Sequence, residues 1–254
     1  VMELPPSQAE QGLQLWLKEL YRLKDVLERQ FNTEITEEKL REAVALRNRE
    51  RRALIDFFET MQADPPPMTG LECYEVLNGV TFRFDRAQAT AEIEELTRRL
   101  RSQGSLAERK PRILLTGCPI GGVYKKIVSA LEKDAYVVAF ENCDGAKSTY
   151  GLVDEQAEDI YEALARRYLN IGCSCMSPNP NRLEMLGRLI DDFHVDGVVE
   201  VVLQTCLTYA VESRAVRDFV TGVKKLPYLM VETDYSTQDN GQLETRLNAF
   251  TEML

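Results

Sequence analysis

Residues 196–213 read DGVVEVVLQTCLTYAVES, and the fold turns on how that stretch is parsed. Asp196 to Gln204 is a near-continuous apolar run rich in β-branched residues, the pattern of a strand buried on both faces. The run stops at Cys206, and the residues after it have helical character. A strand therefore delivers a thiol to the point where a helix begins. The same grammar recurs on either side. PRILLTG ends in Gly117 and is followed by Cys118 and the helix VYKKIVSALEKD; AYVVAFEN is followed by Cys143. After CDGAKSTYG come helical stretches at 159–169 and 182–193. Beyond the third strand lie a helix in YAVESRAVRDFVTGV, a fourth strand in PYLMVET and a closing helix in QLETRLNAFTEML. Strands alternating with helices imply right-handed crossovers and a parallel sheet. The expectation is an α/β fold, a four-stranded parallel flavodoxin-like (half-Rossmann) sheet over 110–254.

Residues 1–109 carry helical patterning, so a helical linker region precedes the sheet domain. Ser7 and Glu10 fit a capping box, after which Leu13, Trp16, Leu17, Leu20 and Leu27 keep one face apolar. A second helix starts at Thr36 and runs until DPPPMTG breaks it; a third covers 85–101 and stops near Gly104. The opening VMELPPS, with valine first, reads as a longer chain entered partway along.

Composition narrows the function. The chain has 254 residues, 44% of them hydrophobic, and a net charge of −10, which argues against a nucleic-acid partner. No apolar run approaches the roughly 20 residues that span a bilayer, and no signal sequence is visible at the start, so a cytoplasmic location is expected. Six cysteines in such a chain do not suggest a disulfide scaffold. Zinc recruits histidine or C-x-x-C knuckles; His194 is the only histidine and no C-x-x-C occurs. An all-thiol supply suits iron–sulfur chemistry better. The plainer reading is that several of the six are core thiols, as most free cysteines are.

In a parallel sheet, ligands sit beyond the carboxyl ends of the strands. Cys118, Cys143 and Cys206 each come just after a strand, so three thiols are expected at one rim, next to helix amino termini that stabilise anionic sulfur. Cys173 and Cys175, in IGCSCMSPN, lie in the connection between strands two and three. Glycines in GCPIGG could admit backbone amides close to an anion, although the absence of G-K-[ST] argues against a P-loop. Cys73 reads as a core residue and His194 as a helix-end or surface residue. Tyr209, Asp234 and Tyr235 could line a pocket, and the plainer reading for each is loop hydrogen bonding. Glu141 and Glu232 end strands just before the rim, where burial would demand partners or suit them to acid–base work.

Taken together, TGCPIGG, FENCDGAKS, YLNIGCSCMSPNPNRLE, DGVVEVVLQTCLTYAVES and VETDYSTQDNGQLETRLNAF resemble the 2-hydroxyacyl-CoA dehydratase D-component family, most closely its double-cubane cluster branch. EKLREAVALRNRERRAL and DPPPMTG fit its helical linker. The resemblance implies a [4Fe-4S] or double-cubane [8Fe-9S] cluster, a separate ATP-hydrolysing iron–sulfur activator that feeds it low-potential electrons, and a homo- or heterodimer. It implies dehydration of a 2-hydroxyacyl-CoA through a ketyl radical, or, in the double-cubane branch, reduction of small molecules. Cys206 matches the family's best-attested ligand in this half, with Cys143 and Cys118 next and Cys175 and Cys173 after them. Two departures stand out. The family's amino-terminal cluster-binding domain is expected upstream of Val1, and without it the cluster cage would be incomplete. The family's C-H-T-Y is here Cys206-Leu207-Thr208-Tyr209, which removes a histidine from the rim. The competing expectations are a non-catalytic assembly subunit that has lost its cluster, and a flavodoxin-like domain that binds a CoA ester.

Overall fold

The computed structural model describes residues 1–254. Four helices come first: α1 (Glu10–Phe31), α2 (Glu37–Phe58), α3 (Gly70–Val80) and α4 (Arg86–Gln103). After them come strand β1 (Arg112–Gly117), helix α5 (Tyr124–Leu131), strand β2 (Tyr136–Phe140) and the short α6 (Ala146–Thr149). The chain continues with α7 (Ile160–Leu169), α8 (Pro180–Asp192), β3 (Gly197–Leu203), α9 (Leu207–Asp218), β4 (Tyr228–Thr233) and α10 (Asn240–Thr251). The strands form one sheet in the order β2-β1-β3-β4, parallel throughout. This is the expected α/β architecture with a helical region in front of it.

Sequence chemistry accounts for the element ends. Thr36 caps α2 by accepting from the Lys39 amide, and Asp85 caps α4 by accepting from Gln88. The capping box expected at Ser7 and Glu10 does not form: α1 starts after Ala9, whose side chain caps nothing. A capping box occurs instead at Thr69 and Glu72, opening α3, a helix the hydrophobic pattern alone did not separate from its neighbours.

One core unites the helical region and the sheet. Phe57, Phe58 and Met61 from the end of α2 and the turn after it, and Tyr74 from α3, join Leu114 of β1, Val138 of β2 and Val199 of β3 in it. Asn48 of α2 fastens the loop after α6, accepting from the Val153 amide at 3.1 Å and donating to the Val153 carbonyl at 2.8 Å. Helix α1 lies on α7, with Leu13 packed among Ala165, Leu169 and Met176.

The strand order places a crevice. From β1 the chain steps outward to β2, whereas β3 leads to β4 on the opposite side, so the carboxyl edge between β1 and β3 is the switch point where such sheets hold ligands. Pairing continues past Gly117, because the Cys118 amide donates to the Val201 carbonyl at 2.9 Å. Gly117 itself has φ +109°, and a Cβ there would lie 2.1 Å from the Val201 carbonyl oxygen. A Gly117→Ala substitution is expected to destabilise the protein by about 3 kcal/mol or more, combining backbone strain with overpacking. A urea midpoint that barely moves would contradict this reading of the edge.

Candidate functional site: a rim of thiols above a buried charge network

Cys206 is the residue immediately before α9, and α9's free amides face it. Partial burial raises the thiol, and the Tyr209 amide, the Cys118 thiol and the Thr208 hydroxyl around it more than offset that, leaving it below the ordinary cysteine range. Cys118, at the end of β1, adjoins Cys206 in a small cluster with Val202 and Tyr209. It is only 1% exposed, its Sγ accepts the Leu203 amide at 3.4 Å, and burial pushes its thiol up to about 12. Cys143 lies just past β2 and is exposed, with its Sγ 3.8 Å from the Tyr209 hydroxyl. Burial of its sulfur raises that thiol while Lys147 and Tyr209 pull it down.

The connection between α7 and α8 brings the last pair. Cys173 and Cys175 hold their sulfurs 3.4 Å apart, and burial, reinforced by Cys173, pushes the Cys175 thiol up to about 11. Ser174 between them donates to Thr208 at 3.3 Å, which ties this loop to the Cys206 turn. The five thiols thus share one edge, linked through Tyr209, Thr208 and Ser174. Cys73 lies elsewhere, sealed in the core as expected. His194 is exposed at the end of α8 with φ +49°.

The other rim residues divide. Glycines Gly117 and Gly122 serve packing: a Cβ on Gly122 would meet the Tyr235 ring at 2.5 Å. Asp234 and Tyr235 belong to a loop anchored by Lys126, which donates to the carbonyls of Asp234 and Ser236, each at 2.9 Å, and to Asp239 at 2.8 Å. Glu232 is exposed and needs no partner. Glu141 is fully buried and has several.

Beneath the rim lies a set of charges. Glu141 contacts Lys147 at 3.0 Å and Arg182 at 3.5 Å, and Thr116 donates to its other oxygen. Arg182, from the first turn of α8, also donates to Glu200 on β3 at 3.0 Å and to Glu212 on α9 at 2.6 Å. Tyr228 on β4 completes the set, donating to Glu200 at 2.6 Å. Burial disfavours the Arg182 cation, but the three carboxylates outweigh it and hold it charged. For Glu200 burial dominates and raises the carboxyl, against the pull of Arg182. The pattern of the sequence pointed to Glu141 from this set but not to Lys147, Arg182, Glu200 or Glu212.

As a donor set, five thiols with no histidine suit soft-metal or iron–sulfur ligation in kind. In spacing four of the five come as two pairs, Cys118 with Cys206 and Cys173 with Cys175, and no three Cys, His, Asp or Glu side chains stand close enough to hold one metal ion. This chain therefore fits part of a ligand shell.

Comparison with known proteins agrees with the residues. The family model described as 2-hydroxyglutaryl-CoA dehydratase, D-component, matches residues 1–254. The chain is 49% identical over 259 residues to the putative dehydratase subunit YjiM of Escherichia coli, covering 100% of this chain and 67% of that protein. It is 20% identical over 242 residues to the (R)-phenyllactyl-CoA dehydratase beta subunit of Clostridium sporogenes, and 21% over 240 residues to the (R)-2-hydroxyglutaryl-CoA dehydratase beta subunit of Acidaminococcus fermentans. It spans 63% and 62% of those two relatives' lengths. A parallel sheet with a thiol-lined switch point, the motif blocks along the whole chain and the family match over residues 1–254 lead to one conclusion: the chain belongs to the 2-hydroxyglutaryl-CoA dehydratase D-component family.

Proposed function

We propose that the chain is a component of an iron–sulfur enzyme that dehydrates a 2-hydroxyacyl-CoA or, as in the double-cubane branch, reduces a small molecule. Cys206 leads the ligand set, with Cys143 and Cys118 beside it and Cys175 and Cys173 next in reach. The observation that carries the reading is the gathering of five thiols at the β1/β3 switch point, where Cys206 sits at a helix amino terminus and is easier to ionise than an ordinary cysteine. A cluster bound there would supply electrons at low potential, as all-sulfur ligation with several negative charges does. The chain's own residues hold the thiols at one edge and supply hydrogen bonds to sulfur. The chain spans about two thirds of its relatives' length, and since no three of its thiols close a site by themselves, the proposal assigns the remaining ligands to residues outside it. The family's chemistry calls for a partner dehydratase subunit or second copy, an ATP-hydrolysing iron–sulfur activator and an acyl-CoA substrate.

Anaerobic reconstitution of the protein in its full-length form with iron and sulfide tests this. Uptake of about four irons per chain supports the dehydratase branch and about eight the double-cubane branch. No iron overturns the proposal. It would favour the second reading, a non-catalytic assembly subunit, which rests on Leu207, an exposed apolar side chain at the start of α9 where the family carries histidine, and on the pairwise spacing of the thiols. A stable dimer free of iron is the result that reading expects.

A further inference from the structure

We propose that Lys147 and Tyr209 form a polarised hydrogen-bond line that ends on the sulfur of Cys143 and sets its electron density. The proposal rests on the iron–sulfur reading for its redox consequence and on geometry alone for the contact. Lys147 is 1% exposed, an unusual place for an ammonium, and its Nζ lies 3.0 Å from Glu141 and 3.2 Å from the Tyr209 hydroxyl. An ammonium only donates, so the phenol oxygen accepts from Lys147. Its own hydrogen is left for its other polar neighbour, the Cys143 Sγ at 3.8 Å. The Tyr209 ring also faces two cations, with Lys147 Nζ and Arg182 Cζ each 5.0 Å from its centroid. Burial and the neighbouring Cys143 and Glu141 hold the phenol's proton on its oxygen, against the pull of Arg182, so the hydroxyl keeps a hydrogen to donate toward the sulfur. A hydroxyl anchored on a buried ammonium is thereby aimed at a sulfur at the exposed edge.

Charge sets the direction of the effect. A hydrogen bond into a cysteinyl sulfur withdraws charge from it and from any centre it ligates, which makes reduction easier. Tyr209 is in this sense a positioning and tuning residue. Its neighbour Leu207, on the outer side of the turn, has no group with which to do the same.

The test is Tyr209→Phe, which keeps the ring packed on Cys118 and Val202 and deletes only the hydroxyl. In the metal-free protein, alkylation of Cys143 by iodoacetamide at fixed pH, read by mass spectrometry with Cys206 as internal reference, is expected to slow several-fold. In the reconstituted protein, the cluster's midpoint potential is expected to fall by about 59 mV, a tenfold change for one electron. Lys147→Met is expected to move both readouts the same way. Since it leaves Arg182 as the one cation beside buried Glu141, its thermal midpoint is tracked too, and Tyr209→Phe carries the decision if it fails to fold. An unchanged alkylation rate overturns the contact, and an unchanged potential at equal iron content overturns the tuning. Failure of the parent protein to bind iron would instead sink the iron–sulfur reading, and the alkylation arm would still decide whether Tyr209 acts on Cys143.

Discussion

Arg182→Met will cost about 3–5 kcal/mol of stability, the range for breaking a buried ion pair from one side. Arg182 is among the largest fully buried side chains, and it faces three carboxylates, on the β2–α6 connection, β3 and α9. Methionine has similar bulk, so the loss is electrostatic rather than a cavity. For a chain of this length each kcal/mol moves the thermal midpoint by about 2–4 °C, giving a fall of about 10 °C. The pH dependence separates this cause from a packing defect. In the variant Glu200 keeps the burial that raises its carboxyl and loses the arginine that lowers it. A carboxyl whose folded value is raised penalises folding fully above that value, and the penalty fades as pH falls through it. The gap between parent and variant therefore narrows on acidification from about pH 7 to about pH 5. Adding Glu200→Gln should recover part of the loss at neutral pH. A gap under about 1 kcal/mol, or one independent of pH, would mean that the network does not hold these elements together.

The network also marks where sequence reasoning stops. The strands were legible because short apolar runs alternate with helical stretches along 110–254, and the thiol edge came with parallel pairing. Arg182 was not legible. In NPNRLEMLGRLIDD it occupies the first turn of an amphipathic helix, where arginine ordinarily reaches water, and only the tertiary fold turns it inward. Glu200 left a signal that could have been used: a carboxyl in the middle of GVVEVVL, a strand buried on both faces, has to be paired, hydrogen-bonded or protonated. Lys147 left none, since CDGAKS reads as an ordinary polar loop. Helix α3 hid for a different reason. Its apolar pattern is short, and the Thr69–Glu72 capping box that opens it comes directly after DPPPM, which reads as a simple break. The Ser7–Glu10 pair shows the converse, a motif in sequence that the backbone does not adopt because the helix begins after Ala9.

Cys206→Ala will remove most of the iron taken up on anaerobic reconstitution while leaving the fold in place. The two halves of that expectation come from separate observations. The Cys206 side chain makes no capping hydrogen bond to α9, its residue is only half-buried, and its sulfur contacts Cys118 and Thr208 at the edge of a small cluster. Losing it should change stability by no more than about 0.5 kcal/mol, the scale of a surface substitution. In the proposed ligand set its nearest neighbour is a poor substitute for it. Cys118 is sealed under Leu203 with its thiol pushed up to about 12, whereas the Cys206 thiol lies below the ordinary range and so ionises first. Metal binding requires the deprotonated form, so the easily ionised, accessible thiol should nucleate the site. Cys73→Ala is the matched control: that sulfur lies in the core, and its removal should lower stability while iron per chain stays at the parent value. Iron content equal in Cys206→Ala and parent, with both proteins folded, would show that this edge of the sheet is not where the cluster is held.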